Sequence, residues 1–260
     1  MGGIRMNVIK LMGGLGNQLY QYAFGQVQKA NGIEVAYDRS WFDHRQKGSP
    51  REYHLDKFDI EVSFSPFLNQ QEIHEKGYEP VLLTVDNCNF WGYWQYPSYY
   101  QPILKGLQST LKVKESFYTT DYISLLKTAE NRVATGIHVR RGDYLTTTGF
   151  KTLPLAYYFQ ALQEANSDLI YIFSDDMPWV TENFKRSYFP QELVYVYLQD
   201  YLSWDLMRRC QNLIIANSSF SQWAAFVNEN KNKKIIYSSE ITMDGEQTRQ
   251  KHFPKEWIKL

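Results

Sequence analysis

The chain has 260 residues, 43% of them hydrophobic and 22% charged, with 28 lysines and arginines against 28 aspartates and glutamates. That composition excludes disorder as the default. The zero net charge excludes a broad electrostatic footprint for nucleic acid or an anionic membrane, while leaving room for a local basic pocket. The length fits one large α/β domain or two compact ones of about 120 to 130 residues each. Two cysteines, Cys88 and Cys210, lack the spacing of a disulfide framework or a cysteine-rich zinc site. With neither an extended apolar segment near Met1 nor a run of about 18 apolar residues, a soluble, cytoplasmic protein is expected. The sequon at Asn217-Ser218-Ser219 would then be inert. Aromatics are abundant, with 20 Tyr, 15 Phe and 7 Trp. Core packing explains most such rings, and platforms for sugar faces are the alternative for a few.

In chain order, Val8 to Leu11 reads as a strand, followed by the glycine-rich turn Met12-Gly-Gly-Leu-Gly16. A helix follows, with Leu19, Tyr22, Ala23, Gln26, Val27 and Ala30 on one face. Asn31-Gly32 closes it, and Ile33 to Tyr37 is a second strand. From about 38 to 129 the pattern is irregular: 38–60 is charged and aromatic, 66–76 and 98–109 look helical, and Val81 to Val85 reads as a short strand. Aromatic side chains crowd 90–96. From Arg132 onward strands and helices alternate. Strands are predicted at 133–139, 169–173, 193–197, 213–216 and 234–237, with helices at 154–165, 178–186, 201–210 and 219–229. That alternation predicts parallel βαβ units in a doubly wound sheet. No internal repeat, linker or heptad pattern is visible, so oligomeric state is not readable.

Ligands of open parallel sheets bind beyond the carboxyl ends of strands, and polar clusters sit at those ends. Gly13-Gly14-Leu15-Gly16-Asn17-Gln18 is neither a dinucleotide fingerprint nor a P-loop. It can present bare N–H groups to an anion or a sugar hydroxyl, or serve as a tight corner, with Asn17 and Gln18 capping the helix or reaching into a cleft. In Ile137-His138-Val139-Arg140-Arg141-Gly142-Asp143-Tyr144, His138 and Arg140 share a strand face and Arg141 takes the other. A guanidinium at a strand end suits a diphosphate; alternatively Arg141 and Asp143 form an ion pair beneath the turn. Ser174, Asp175 and Asp176 end the next strand, as acceptors for a nucleobase or ribose or as a helix cap. Asn217, Ser218, Ser219 and Phe220 open a helix, as a phosphate seat or a plain N-cap. Asp-x-Asp occurs nowhere, and the histidines at 44, 54, 74, 138 and 252 lack zinc-helix spacing. Arginine and backbone N–H groups are therefore left to stabilise a diphosphate leaving group.

Taken together, Gly13-Gly-Leu-Gly-Asn-Gln, His138-Val-Arg-Arg-Gly-Asp-Tyr, Phe173-Ser-Asp-Asp and Asn217-Ser-Ser-Phe-Ser, with Gly92-Tyr93-Trp94-Gln95, resemble the motifs of bacterial α-1,2-fucosyltransferases, glycosyltransferase family 11, from about residue 8 to 238. The resemblance implies a GT-B fold of two Rossmann-like α/β domains facing across a cleft. We expect an acceptor-side domain at 1–130, a GDP-fucose-binding domain at 131–245 and a tail at 246–260. It also implies inverting, metal-independent transfer of L-fucose from GDP-β-L-fucose to the 2-hydroxyl of a galactose-terminated glycan, with no cofactor. In that scheme Arg140 holds the diphosphate, His138 lies close to the nucleotide, and Asp175 or Asp176 meets guanine. Gly14, Gly16, Arg141, Ser174, Asn217, Ser218, Ser219 and Phe220 complete the donor site. Asn17 reaches the reaction centre, while Gln18, Tyr93, Trp94 and Gln95 line the acceptor side.

The sequence departs from α-1,6 enzymes in having Leu145-Thr-Thr-Thr-Gly-Phe150 after the arginine motif, without a glutamate. Asp143 is the nearest candidate base, and a β-phosphate oxygen is the alternative. Gln222-Trp223-Ala224 also departs from the usual family pattern. The other readings are a fucosyltransferase of another linkage and a non-catalytic guanine-nucleotide or glycan-binding module.

Overall fold

The computed structural model describes residues 6–44, 50–240 and 249–260. Part of the charged and aromatic stretch at 38–60, the first residues of the tail at 246–248 and residues 1–5 lie outside them. The chain divides into two compact units, Met1–Lys112 and Val113–Leu260.

The first unit carries β1 (Met6–Lys10), α1 (Leu15–Ala30), β2 (Glu34–Asp38), β3 (Gln71–His74), β4 (Cys88–Trp91) and α2 (Leu104–Thr110). Its sheet runs β2-β1-β4-β3, with every pairing parallel. The opening βαβ unit stands as expected. Gly32 takes φ +83° just after α1, as a helix-ending residue should. The irregular stretch departs from expectation. Within 66–76, read as helical, Gln71–His74 is an edge strand, and its exposure left no apolar period to detect. The predicted strand at 81–85 is a 3-10 turn over Pro80–Leu83, because Pro80 presets φ for a tight turn and only Leu82 is buried. In the 98–109 helix prediction, a 3-10 turn at Pro97–Tyr99 and α2 stand separately. The aromatic crowd at 90–96 begins with β4, an inner strand whose Cys88, Asn89 and Phe90 are all buried.

Helix α1 is buried nearly all round, so an apolar stripe would not satisfy its surroundings. Glutamines do so instead. Gln18 donates to the carbonyls of Gly13 (3.1 Å) and Glu52 (2.8 Å) and accepts from His54 N–H (2.9 Å). Gln21 accepts from Met12 N–H (2.9 Å) and donates to Gly92 O (3.0 Å). Gln28 accepts from Asn7 (3.0 Å) and donates to Leu82 O (3.1 Å). All three are fully buried, and each fastens a loop whose backbone would otherwise lose its partners.

The second unit carries α3 (Thr120–Thr128), β5 (Ala134–Val139), α4 (Leu155–Ala165), β6 (Leu169–Ser174), α5 (Met177–Asn183), β7 (Glu192–Tyr195), α6 (Asp200–Arg209), β8 (Asn212–Ile215), α7 (Ser219–Phe226), β9 (Ile235–Tyr237) and β10 (Ile258–Lys259). The strand order is β10-β9-β8-β5-β6-β7, again wholly parallel. Every strand and helix predicted after Arg132 is present, with ends shifted by up to three residues. Ile137, Val139, Ile170, Ile172, Leu193, Ile214 and Ile236 form the sheet's share of one core, covered by Tyr157, Tyr158 and Phe184.

The boundary falls earlier than the expected residue 130. Helix α3 belongs to the second unit because Tyr122 donates to the fully buried Asp205 carboxylate of α6, and Tyr171 of β6 reaches Leu125 O at 2.6 Å. The described part of the tail is no appendage either. β10 pairs with β9, and Trp257 stacks on Phe226 at 4.8 Å.

Packing of α1 on β2 gives a test. A Cβ added at Gly25 would lie 2.3 Å from the hydroxyl oxygen of fully buried Tyr37, which donates to Tyr22 O at 2.8 Å. Gly25→Ala should cost about 1–3 kcal/mol in urea denaturation, as overpacking does. Gly106→Ala, in α2 with nothing within 4 Å, should be neutral or stabilising by up to about 1 kcal/mol.

Candidate active site

In both sheets the chain runs outward from one strand and then returns to its other side. That leaves a switch point between β1 and β4 in the first unit and between β5 and β8 in the second, the places where open α/β sheets bind ligands.

At the second switch point, the β5–β6 register pairs Val139 with Ser174, so Arg140 and Asp175 follow side by side. Arg140 Nη1 meets Asp175 Oδ2 at 2.7 Å, and its Nη2 meets Asp143 Oδ1 at 2.5 Å. Its Nε is buried without a hydrogen-bond partner. Arg141 turns the other way, as strand alternation demands: its Nε meets Asp176 Oδ2 at 2.9 Å, and its guanidinium lies 4.0 Å over Trp179. Arg141 N–H also donates to Asp175 Oδ1 at 2.9 Å. The ion pair suggested between Arg141 and Asp143 is thus replaced by two others. Gly142 permits this closeness, since a Cβ there would sit 2.4 Å from Asp175 Oδ2.

The carboxylates expected at guanine are already engaged. Asp175 uses both oxygens on the arginine segment. Asp176 uses one on Arg141 and the other to cap α5 through Trp179 N–H (3.2 Å). Ser174 Oγ accepts from Asp176 N–H at 3.0 Å. These three residues hold the arginines in place, and a base contact would have to share an oxygen in use.

Across the switch point, Ser218 occupies the N-cap position of α7 without its side chain closing the helix, so the plain N-cap reading fails for it. Asn217 is buried, and its Nδ2 donates to Glu240 O at 2.8 Å while its carbonyl accepts from Tyr144 at 2.9 Å. Its side chain therefore fastens the loop and leaves the helix start to Ser218, Ser219 and Phe220. The Phe220 ring stands 5.3 Å from that of His138. His138 is buried with Nδ1 unbonded. Burial pushes its pKa down to about 3, with Asp175 opposing and Arg140 reinforcing the shift. The imidazole is neutral.

At the first switch point, Gly14 is the extended N-cap of α1 and Gly16 is buried inside its first turn. Gln95 Nε2 donates to Asn17 Oδ1 at 2.7 Å, joining the first turn of α1 to the loop after β4. Two expected acceptor residues are corrected. Gln18 is fully buried with both ends of its amide on backbone groups. Trp94 is fully buried and stacked on Phe24 at 4.4 Å. Tyr93 is 40% exposed.

The sequence reading missed Lys10. It is buried at the end of β1 with Asp38 at 2.8 Å and Ser40 at 2.7 Å, beneath Phe67 and Trp91 at 5.0 and 5.3 Å. A lysine ending a strand with an aspartate ending the next was the available signal.

Two parallel-sheet units with polar switch points define an α/β protein of GT-B type. The fold is similar to that of a fucosyltransferase NodZ from Bradyrhizobium, with a TM-score of 0.56 over 86% of this chain and 92% of that one at 13% sequence identity, a likeness of fold. The model of glycosyl transferase family 11 matches residues 3–260, and the chain belongs to that family. Among curated relatives it is 26% identical to the O-antigen biosynthesis glycosyltransferase WbnK of Escherichia coli, over 90% of this chain and 97% of that protein. It is 24% identical to an alpha-1,2-colitosyltransferase of Escherichia coli, over 97% and 98%. A galactoside 2-alpha-L-fucosyltransferase, SEC1 of Bos taurus, is 29% identical over 47% of this chain and 37% of its own. Among the described residues no helix is long and apolar enough to cross a membrane.

Because folded His138 resists a proton that the unfolded chain accepts near pH 6.5, its contribution to stability is complete above about pH 6.5. It falls as pH drops toward 3. Wild-type stability should therefore lose up to about 1.4 kcal/mol more per pH unit than His138→Gln between pH 6 and 4, measured by urea denaturation.

Proposed function

We propose that the protein transfers L-fucose from GDP-β-L-fucose, with inversion and without a metal ion, to the 2-hydroxyl of a galactose in an oligosaccharide. The observation that carries this reading is Arg140 held between two carboxylates at a switch point that also contains the start of α7. Family membership and relatives named for α-1,2-colitosyl and 2-alpha-L-fucosyl transfer support it.

As the bond from sugar C1 to the β-phosphate breaks, negative charge grows on the diphosphate. Arg140 supplies charge-assisted hydrogen bonds there, and the hydroxyls of Ser218 and Ser219 stand at the positive end of α7. His138 and Phe220 give the nucleotide a neutral, largely apolar wall. A neutral histidine adds no charge to compete with the arginine for phosphate. Asp175, Asp176 and Ser174 orient the arginines, with Arg141 as scaffold. On the acceptor side, Asn17 and Gln95 form one amide pair and Tyr93 offers an exposed ring.

A second reading keeps the chemistry and changes the sugar. The relative named for colitosyl transfer aligns with 97% of this chain, whereas SEC1 aligns with 47%. GDP release from GDP-fucose and from GDP-colitose, with and without β-galactosides and in EDTA, decides between them. NMR of the product gives the linkage. Acceptor-dependent release from GDP-fucose with an α-1,2 product is expected. Nucleotide binding without transfer to any galactoside would instead indicate another acceptor or a binding module. Arg140→Ala should fold and lose about 100-fold or more in turnover.

A further inference from the structure

Beyond β4, in the run Gly92-Tyr93-Trp94-Gln95, Tyr93 is exposed and Gln95 half-buried, while Trp94 between them is fully buried. Trp94 is costly where it stands. Its backbone takes φ +57°, a left-handed conformation that a bulky side chain enters only against steric resistance. The other non-glycine residues at positive φ among the described residues are Asn87, Asn131 and Asn166, the side chain that tolerates it best. The indole Nε1 of Trp94 is also buried without a hydrogen-bond partner, a second cost. Strain of this kind persists only where the surroundings over-determine it, and it gathers at functional sites.

The surroundings do over-determine it. The indole stacks on Phe24 of α1, with centroids 4.4 Å apart and 9° between the planes, and meets Phe90 of β4 edge-on at 5.8 Å. The carbonyl of Trp94 accepts from Tyr96 N–H at 2.9 Å and from the Tyr100 hydroxyl. A Cβ added at Gly92 would lie 2.9 Å from the indole and 2.5 Å from the Glu75 side chain, so all three are packed together. The residues flanking Trp94 are tied in turn: Tyr93 N–H donates to Glu75 Oε2 at 2.7 Å, and Gln95 Nε2 to Asn17 Oδ1 at 2.7 Å. An extended chain would put residues 93 and 95 on one face. The left-handed corner at 94 breaks that alternation, leaving Tyr93 to solvent and bringing Gln95 to the first turn of α1.

Resting on the acceptor reading above, we propose that Trp94 is a positioning residue for the acceptor sugar, acting through Tyr93 and Gln95. The anchored indole holds the left-handed corner, and the corner sets an exposed ring and an amide in place at the carboxyl end of β4, beside the first switch point. A neutral sugar is recognised by that combination, its C–H face against a ring and its hydroxyls on a polar group. Without the indole's hold, the backbone at 94 relaxes to negative φ. Tyr93 and Gln95 then lose their placing while the parallel sheet behind them stays paired.

Trp94→Leu removes the stack, whereas Trp94→Phe keeps a ring on Phe24. Transfer to lactose, as the β-galactoside probe, is followed by GDP release from GDP-fucose, and GDP affinity by calorimetry. Trp94→Leu should raise the KM for lactose about tenfold, with kcat at saturation within about threefold, and Trp94→Phe should restore most of the loss. GDP affinity should be unchanged, since Arg140 and His138 belong to the other unit. In a Tyr93→Ala, Gln95→Ala background, Trp94→Leu should raise the KM by less than about twofold more, because the side chains it places are gone. Tyr100→Phe takes the hydroxyl from Trp94 O and leaves the indole; it should raise the KM about fivefold, and it carries the test if thermal melts show Trp94→Leu unfolded. An unchanged KM in the folded variant, or a rise of equal size with and without Tyr93 and Gln95, would overturn the proposal. So would a joint fall of GDP affinity and kcat, which marks a merely structural residue. Wild-type protein that binds GDP and transfers nothing to lactose would sink the acceptor reading itself, a separate outcome.

Discussion

The pairing of Arg140 with Asp175 is the contact on which the second unit's chemistry depends. It joins the ends of two neighbouring strands, and the same carboxylate reaches back to the N–H of Arg141. The strand order supplies the opportunity, because β5 lies between the outgoing and returning halves of the sheet. Gly142 supplies the clearance, since any Cβ there would collide with the Asp175 carboxylate. From that pair follow the opposed directions of the two arginines and the employment of Asp176 as both counter-ion and helix cap.

The two switch points are built from different materials. In the second unit, charge does the positioning, through half-buried ion pairs that fix geometry at the strand ends. In the first, amides share the work with the single buried pair Lys10–Asp38: Asn17 meets Gln95, while Gln18, Gln21 and Gln28 fasten surrounding loops. An amide carries no net charge and satisfies donor and acceptor at once, so it fits an interior that also holds Trp94 and Phe24. A region shaped for hydroxyl-rich neutral sugars and one shaped for a nucleoside diphosphate would differ in this way.

Much of the second unit was legible because its strands are buried on both faces and its helices amphipathic, so period and apolarity agree. The motif residues at strand ends were legible for the same reason: once β5, β6 and β8 are placed, Arg140, Asp175 and Ser218 must emerge at the same edge. What escaped was pairing. Strand alternation separates Arg140 from Arg141, but nothing in the order of residues says that Asp143 folds back to Arg140 while Arg141 goes to Asp176. In the first unit the failures have a common cause. Gln71–His74 is an exposed edge without a buried face, and Gln18 and Trp94 look like surface chemistry in a sequence while being structural in a core. A glutamine is read as polar and outward unless the backbone groups awaiting it are known.

The glutamines along α1 carry a mechanical consequence. Sliding this helix by one residue over its sheet would strand their hydrogen bonds to Gly13, Glu52, His54, Met12, Gly92 and Leu82 together. The helix therefore behaves as a keyed shaft: it has one seating, and the loops that follow β1 and β4 are indexed from it. One side chain, Gln21, holds Met12 N–H and Gly92 O at once, so both loops are seated against the same point of the helix.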